Sequence, residues 1–137
     1  MKPYAWQVRV YYEDTDAGGV VYYANYLKFM ERARTEWLRS IGIEQDELMQ
    51  NRNVLFAVRS VHIAYKLPAR FNDLLAVTVE PLVLKPASIS FKQSITQQHD
   101  NTHLLASADL NIVCLQADSF LPRPIPKDLF KEIESAC

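Results

Sequence analysis

The chain predicts an α+β domain in which one long central helix packs against a five-stranded antiparallel sheet. Three observations predict it. A single strong apolar stripe at helical spacing occurs early in the chain, and strand-like alternation precedes and follows it. The length, 137 residues, suits one domain spanning 1–137 and leaves little room for a second.

The elements follow in order. From Trp6 to Tyr12, the residues Trp6, Val8, Val10 and Tyr12 alternate with Gln7, Arg9 and Tyr11, which predicts a strand with one buried face. The block Glu13–Gly19, with two aspartates and two glycines, ends that strand. Gly18 and Gly19 can adopt positive φ or admit a close approach to the backbone. The long helix is expected over about Asn25–Ile41, where Tyr26, Met30, Ala33, Trp37 and Ile41 recur every three or four residues, with Leu27 and Leu38 widening the stripe. Gly42 suits a left-handed cap. A short second helix is expected over about Glu44–Asn51.

Four strands and a closing helix account for the rest. Val54–Leu67 is rich in β-branched and aromatic residues, and its apolar face switches near Arg59-Ser60, which predicts a bulge. Leu75, Val77 and Val79 form one face of the next strand, with Pro81 marking an edge or bulge. Ile89, Phe91, Gln93 and Ile95 line a third. Leu104, Ala106, Ala108, Leu110, Ile112 and Cys114 line the last, so these strands are expected as a four-strand meander. His99 and His103 flank Asp100-Asn101, taken as the hairpin turn. A short helix over about Lys127–Glu134 closes the chain.

Composition narrows the function. Hydrophobic residues make up 49% and charged residues 23%, as in an ordinary globular domain. A net charge of −1 gives no overall field for nucleic acid. Cys114 and Cys137 have no spacing that would make a disulfide framework or a metal site. No run approaches the ~20 apolar residues of a membrane span, and the start of the chain lacks the apolar core of a signal peptide. The expectation is a cytoplasmic protein that does not span a membrane.

Asp14-Thr15-Asp16-Ala17-Gly18-Gly19 lies between the first strand and the only long helix. Such residues are common in ordinary loops and caps. A carboxylate there also shares space with the free amides of a helix start, which can polarise a carbonyl and stabilise an oxyanion. Carboxylate plus oxyanion donor is minimum equipment for hydrolysing an activated acyl group.

The stretch Val10-Tyr11-Tyr12-Glu13-Asp14-Thr15-Asp16-Ala17-Gly18-Gly19-Val20-Val21-Tyr22-Tyr23-Ala24-Asn25-Tyr26 closely resembles the 4-hydroxybenzoyl-CoA thioesterase family, and more narrowly its YbgC-type (Tol–Pal-associated) acyl-CoA thioesterases. Phe29-Met30-Glu31-Arg32-Ala33-Arg34-Thr35-Glu36 fits the same subgroup, and the resemblance runs over nearly the whole chain. It implies the hotdog fold. It also implies hydrolysis of short-chain or aromatic acyl-CoA, with Asp16 as nucleophile or general base and the backbone N–H of Tyr23 polarising the thioester carbonyl. Asp14 is then expected to hold the loop. Some YbgC-type members carry a histidine where this chain has Tyr23, and no histidine here precedes His62. A phenol with a pKa near ~10 is a poor base at neutral pH, so the side chain is expected to donate a hydrogen bond or wall the acyl pocket.

Glu31 and Glu36 are rival carboxylates, since another hotdog subgroup uses a helical acid; as charged helix residues both are expected to face water. The resemblance places Ser88 near the CoA path, and Arg59 and Lys85, with Lys66 and Arg70, are candidates to meet its phosphates. No cofactor is implied, CoA being part of the substrate, and no metal. The resemblance further implies a homodimer or homotetramer with sites at the subunit boundary, and allows acyl carrier protein or phospholipid-synthesis enzymes as partners. A non-catalytic acyl- or CoA-binding or scaffold role is the alternative reading.

Overall fold

The computed structural model describes residues 3–137. Its elements are β1 (Tyr4–Arg9), a single 3-10 turn (Tyr12–Asp14), α1 (Asn25–Ser40), α2 (Gln45–Arg52), β2 (Val54–Tyr65), β3 (Leu74–Lys85), β4 (Ser88–Gln97), β5 (Asp100–Gln116) and α3 (Lys127–Ala136). All five strands form one antiparallel sheet in the order β1-β3-β4-β5-β2. This is the hotdog arrangement, α1 lying against one face of the sheet.

The helix packs as its stripe predicts. Tyr26, Met30, Ala33, Trp37 and Leu38 are buried, joined by Phe29, which is fully enclosed. Inward residues Leu75, Val77 and Val79 of β3, Ile89, Phe91 and Ile95 of β4, and Ala106 to Cys114 in alternation on β5 complete the core. Gly42, at φ +86°, ends α1 with its N–H bonded to Arg39 O.

Four expectations shift. The strands after α1 are not one meander: β3-β4-β5 is, while β2 crosses to the far edge and pairs with β5. The first strand ends at Arg9 rather than Tyr12, because Val10 turns away to bond Asn72 and Asp73 through its backbone and the chain then winds into the 3-10 turn. The hairpin turn is Gln98-His99, with Asp100 and Asn101 already in β5. Register shifts around Thr96 also turn Leu104 outward, 40% exposed, and bury Leu105 instead. The bulges at Val58/Ser60 and at Pro81/Val83 fall where the sequence places them. Pro81 lies two residues past Val79, the last β3 residue paired with β1, and at the bulge in the β3–β4 ladder.

Candidate functional site

The segment Asp14–Tyr22 folds into a small hairpin. Thr15 and Val21 face each other as an isolated bridge, Asp16 N–H donates to Val20 O at 2.9 Å, and Tyr22 N–H donates to Asp14 O at 2.9 Å. The tip closes through Gly19 N–H to Asp16 O at 3.0 Å, with Gly19 at φ +78°, a conformation glycine tolerates. Val21 N–H bonds Ala69 O at 2.8 Å, which docks the hairpin on the β2–β3 connection.

The two aspartates have different surroundings. Asp14 is buried. Its Oδ2 accepts Tyr11 N–H at 2.8 Å, and its carbonyl also accepts the Asn25 side-chain amide at 2.9 Å, tying the loop to the first residue of α1. Asp16 is exposed. Its Oδ1 accepts Gly18 N–H at 2.8 Å, and Oδ2 has no partner among the described residues. One oxygen is thus anchored and the other is open to a reactant.

The start of α1 carries no side-chain cap. Asn25 N–H bonds Tyr22 O, whereas the N–H groups of Tyr23 and Ala24 meet no acceptor among the described residues. Free amides at a helix start, with the dipole behind them, suit a developing negative charge. The turn itself is pinned: Tyr65, the last residue of β2, donates its hydroxyl to Tyr23 O at 2.9 Å. Tyr65 also packs edge-on against Tyr23 and Tyr26, with ring centres 6.1 and 5.4 Å apart. Tyr26 accepts Ala69 N–H at 3.0 Å, and its phenol is held above its ordinary range chiefly by burial, with the Asp73 and Asp16 charges adding to the effect.

The Tyr23 ring is 61% exposed. Tyr22 and Phe71 are exposed as well, so the mouth of the site is aromatic.

Other candidates lie elsewhere. Glu36 pairs with Arg39, and Glu31 accepts the Thr35 hydroxyl at 2.9 Å on the exposed side of α1. His62 is exposed on β2, His99 sits in the β4–β5 turn, and His103 bonds Asp100 at 2.8 Å. Arg59 occupies the bulge of β2, exposed. Lys85 and Ser88 face each other across the β3–β4 turn. Eleven strand steps separate Lys85 from Leu74, about 36 Å at ~3.3 Å per residue, so one chain does not bring Lys85 or Ser88 to Asp16. Among the described residues no His, Cys, Asp and Glu cluster could hold a metal ion.

Sequence reasoning missed two participants. Tyr65 closes the apolar alternation Val61, Ile63, Tyr65 and gave no sign of reaching α1. Gln93 is fully buried where its neighbours in the alternation are Phe91 and Ile95; that lone amide on an apolar face was the available signal.

The family model described as the thioesterase-like superfamily matches residues 10–133. The acyl-CoA thioester hydrolase YbgC of Escherichia coli O6:H1 is 44% identical over 131 residues, 96% of each chain. The acyl-CoA thioesterase YbgC of Haemophilus influenzae is 41% identical, covering 92% of this chain and 90% of the relative. Among solved structures, a probable thioesterase from Bartonella henselae superposes with a TM-score of 0.84 at 32% identity, covering 91% of this chain and all of that one.

Proposed function

Since this chain belongs to the thioesterase-like superfamily, alongside the YbgC acyl-CoA thioesterases, we propose that it hydrolyses the thioester of short-chain or aromatic acyl-CoA at Asp16. The observation that carries this reading is the pairing of a half-free Asp16 carboxylate with an uncapped helix start whose Tyr23 N–H has no acceptor among the described residues.

The thioester carbonyl oxygen accepts the Tyr23 N–H, which draws charge onto oxygen as the carbonyl carbon is attacked. Asp16 acts in one of two ways. As nucleophile, an Asp16 oxygen bonds to the carbonyl carbon, the C–S bond breaks and CoA leaves as thiolate; water then hydrolyses the mixed anhydride. As general base, Asp16 takes a proton from water while the water oxygen attacks, and the same bond breaks. A thiol of pKa near ~8.5 leaves readily without strong acid assistance, so the missing histidine does not block the cycle.

The site is completed by a second copy. Among the described residues nothing pairs with the outer edge of the twelve-residue β2, which exposes Val58, Val61 and Tyr65, between 41% and 48% each. Such an edge invites pairing with its own copy. Antiparallel two-fold pairing of β2 edges sets the Asp16 end of one subunit beside the Lys85 and Ser88 end of the other. CoA then lies across the boundary, with Arg59, Lys85 and Ser88 as its contacts, in a homodimer or a tetramer of such dimers.

A thiol-detecting assay over short, long and aromatic acyl-CoAs tests the reading. Asp16→Asn is expected to lower kcat by at least about 100-fold, the share of a positioned base or nucleophile, with CoA affinity retained. Full activity in that variant would remove Asp16 from the chemistry.

A further inference from the structure

Between the second half of α1 and the inner face of β2, β4 and β5 lies a cavity of about 130 Å³. Trp37, Leu38, Phe56, Val58, Phe91 and Ile112 give it apolar walls, and the guanidinium of Arg34 also lines it. The core holds that cation from behind. Arg34 Nη1 donates to Oε1 of the fully buried Gln93 at 2.8 Å, and Gln93 Nε2 is bonded to Met30 O at 3.0 Å and Thr78 O at 3.2 Å. The opposite edge of the guanidinium, Nε and Nη2, donates to no group among the described residues, and no carboxylate among them lies within 4 Å of it.

Burial lowers the Arg34 pKa from its ordinary value, with the Glu31 charge opposing. Glu31 lines the same cavity, yet it is exposed and accepts the Thr35 hydroxyl, whose oxygen also accepts the Gln45 amide. Glu31 faces water, which screens its charge, whereas the Arg34 guanidinium is largely enclosed. A free Nε/Nη2 edge is the two-pronged geometry that a carboxylate matches.

The cavity is remote from Asp16 of its own chain: Val58 lies seven strand steps from Tyr65, about 23 Å. Two-fold pairing reverses this. When β2 edges overlap fully, Tyr65 of one copy falls opposite Val54 of the other, so Phe56 lies two strand steps and Val58 four from the partner's Tyr65, about 7 and 13 Å. Phe56 and Val58 share the inner face of the sheet with Cys114 and Ile112. We propose that this cavity receives the acyl group of a substrate held by the partner's Asp16, and that Arg34 selects acyl groups ending in a carboxylate, the CoA thioesters of short dicarboxylic acids. The proposal rests on the thioesterase reading above. Size limits the chain: a cavity of about 150 Å³ holds one benzene, so this one takes an acyl group of roughly four to six carbons.

Paired substrates test it. The wild-type protein is assayed on glutaryl- against valeryl-CoA and adipoyl- against hexanoyl-CoA, after subtraction of uncatalysed hydrolysis. The dicarboxylic member is expected to be favoured at least tenfold in kcat/KM. Arg34→Met is expected to bring that ratio to one or below, and Arg34→Lys, which keeps the charge without the fork, to an intermediate value. Equal rates in the wild type, or a ratio surviving Arg34→Met, overturns the proposal. A second measurement needs neither a variant nor hydrolysis: nitrogen NMR of the Arg34 Nε–H during titration with adipate or hexanoate, with hexanamide as control. A saturable shift with both acids alone is expected; no shift means that another group fills the fork, and overturns it. If no acyl-CoA is hydrolysed, the thioesterase reading falls while this titration still judges the pocket.

Discussion

Asp14 and Asp16 stand two residues apart in different surroundings, and the proposed mechanism gives them different roles. Asp14 is buried, its Oδ2 held by Tyr11 N–H and its backbone carbonyl by the Asn25 side chain at the start of α1. Asp16 is exposed, with one oxygen held by Gly18 N–H. A side chain at Gly18 would place its Cβ 3.2 Å from Asp16 Oδ1. Gly18→Ala is therefore expected to displace the carboxylate, lowering kcat by about tenfold with little change in melting temperature; steady-state kinetics beside calorimetry separates the two. In the proposed mechanism Tyr23 contributes through its amide, so Tyr23→Phe is expected to alter kcat only modestly. A loss in that variant as large as in Asp16→Asn would show that the phenol takes part.

At the scale of elements, α1 is anchored at its start by residues from far along the chain. Tyr65 of β2 reaches Tyr23 O, and Asn25 reaches Asp14 O. Halfway along, Gln93 of β4 fills a break in the β3–β4 ladder: Ser94 N–H bonds the Thr78 hydroxyl, and Gln93 takes Thr78 O together with Met30 O of the helix. A buried amide survives there because its donors and acceptor all have partners. α2 and α3 are joined by the two-pronged Arg52–Asp128 pair, at 2.7 and 2.8 Å. The Arg52 hydrogen bonds lower the Asp128 carboxyl from its usual 3.8 to about 2. A lowered carboxyl stabilises the fold above its unfolded value, and that contribution is lost as pH falls from about 4 towards 2. Both partners are exposed, so the effect is small. Asp128→Asn is expected to flatten the melting-temperature profile between pH 4 and 2, measured by calorimetry.

For the whole molecule, the sheet order matters most to function. It sends β2 to an edge and leaves that edge free, and it puts Asp16 and the Lys85–Ser88 turn at opposite ends of the strands. In the proposed mechanism a complete site then calls for two chains. Val61→Lys, which sets a charge on the exposed edge, is expected to yield a monomer in sedimentation that keeps its circular dichroism and loses at least about tenfold in activity. An active monomer would contradict the shared site. Among the described residues no helix is long and apolar enough to cross a membrane.

The long helix, both bulges and the carboxylate loop were legible in the chain because each is a local pattern: a 3.6-residue stripe, a switch in alternation, and a run of Asp and Gly between two periodic segments. The choice of Asp16 over Asp14 came from resemblance; what the structure adds is that Asp14 is buried and Asp16 exposed. Strand order was not legible, since the alternation of β2 is the same whether it pairs with β3 or β5. Nor was the role of Tyr65, forty-two residues from the carbonyl it holds, or of Gln93, fifty-nine from the guanidinium it orients. Contacts at such separations depend on which strands the sheet brings together and on which side the helix lies. Local periodicity carries no record of either.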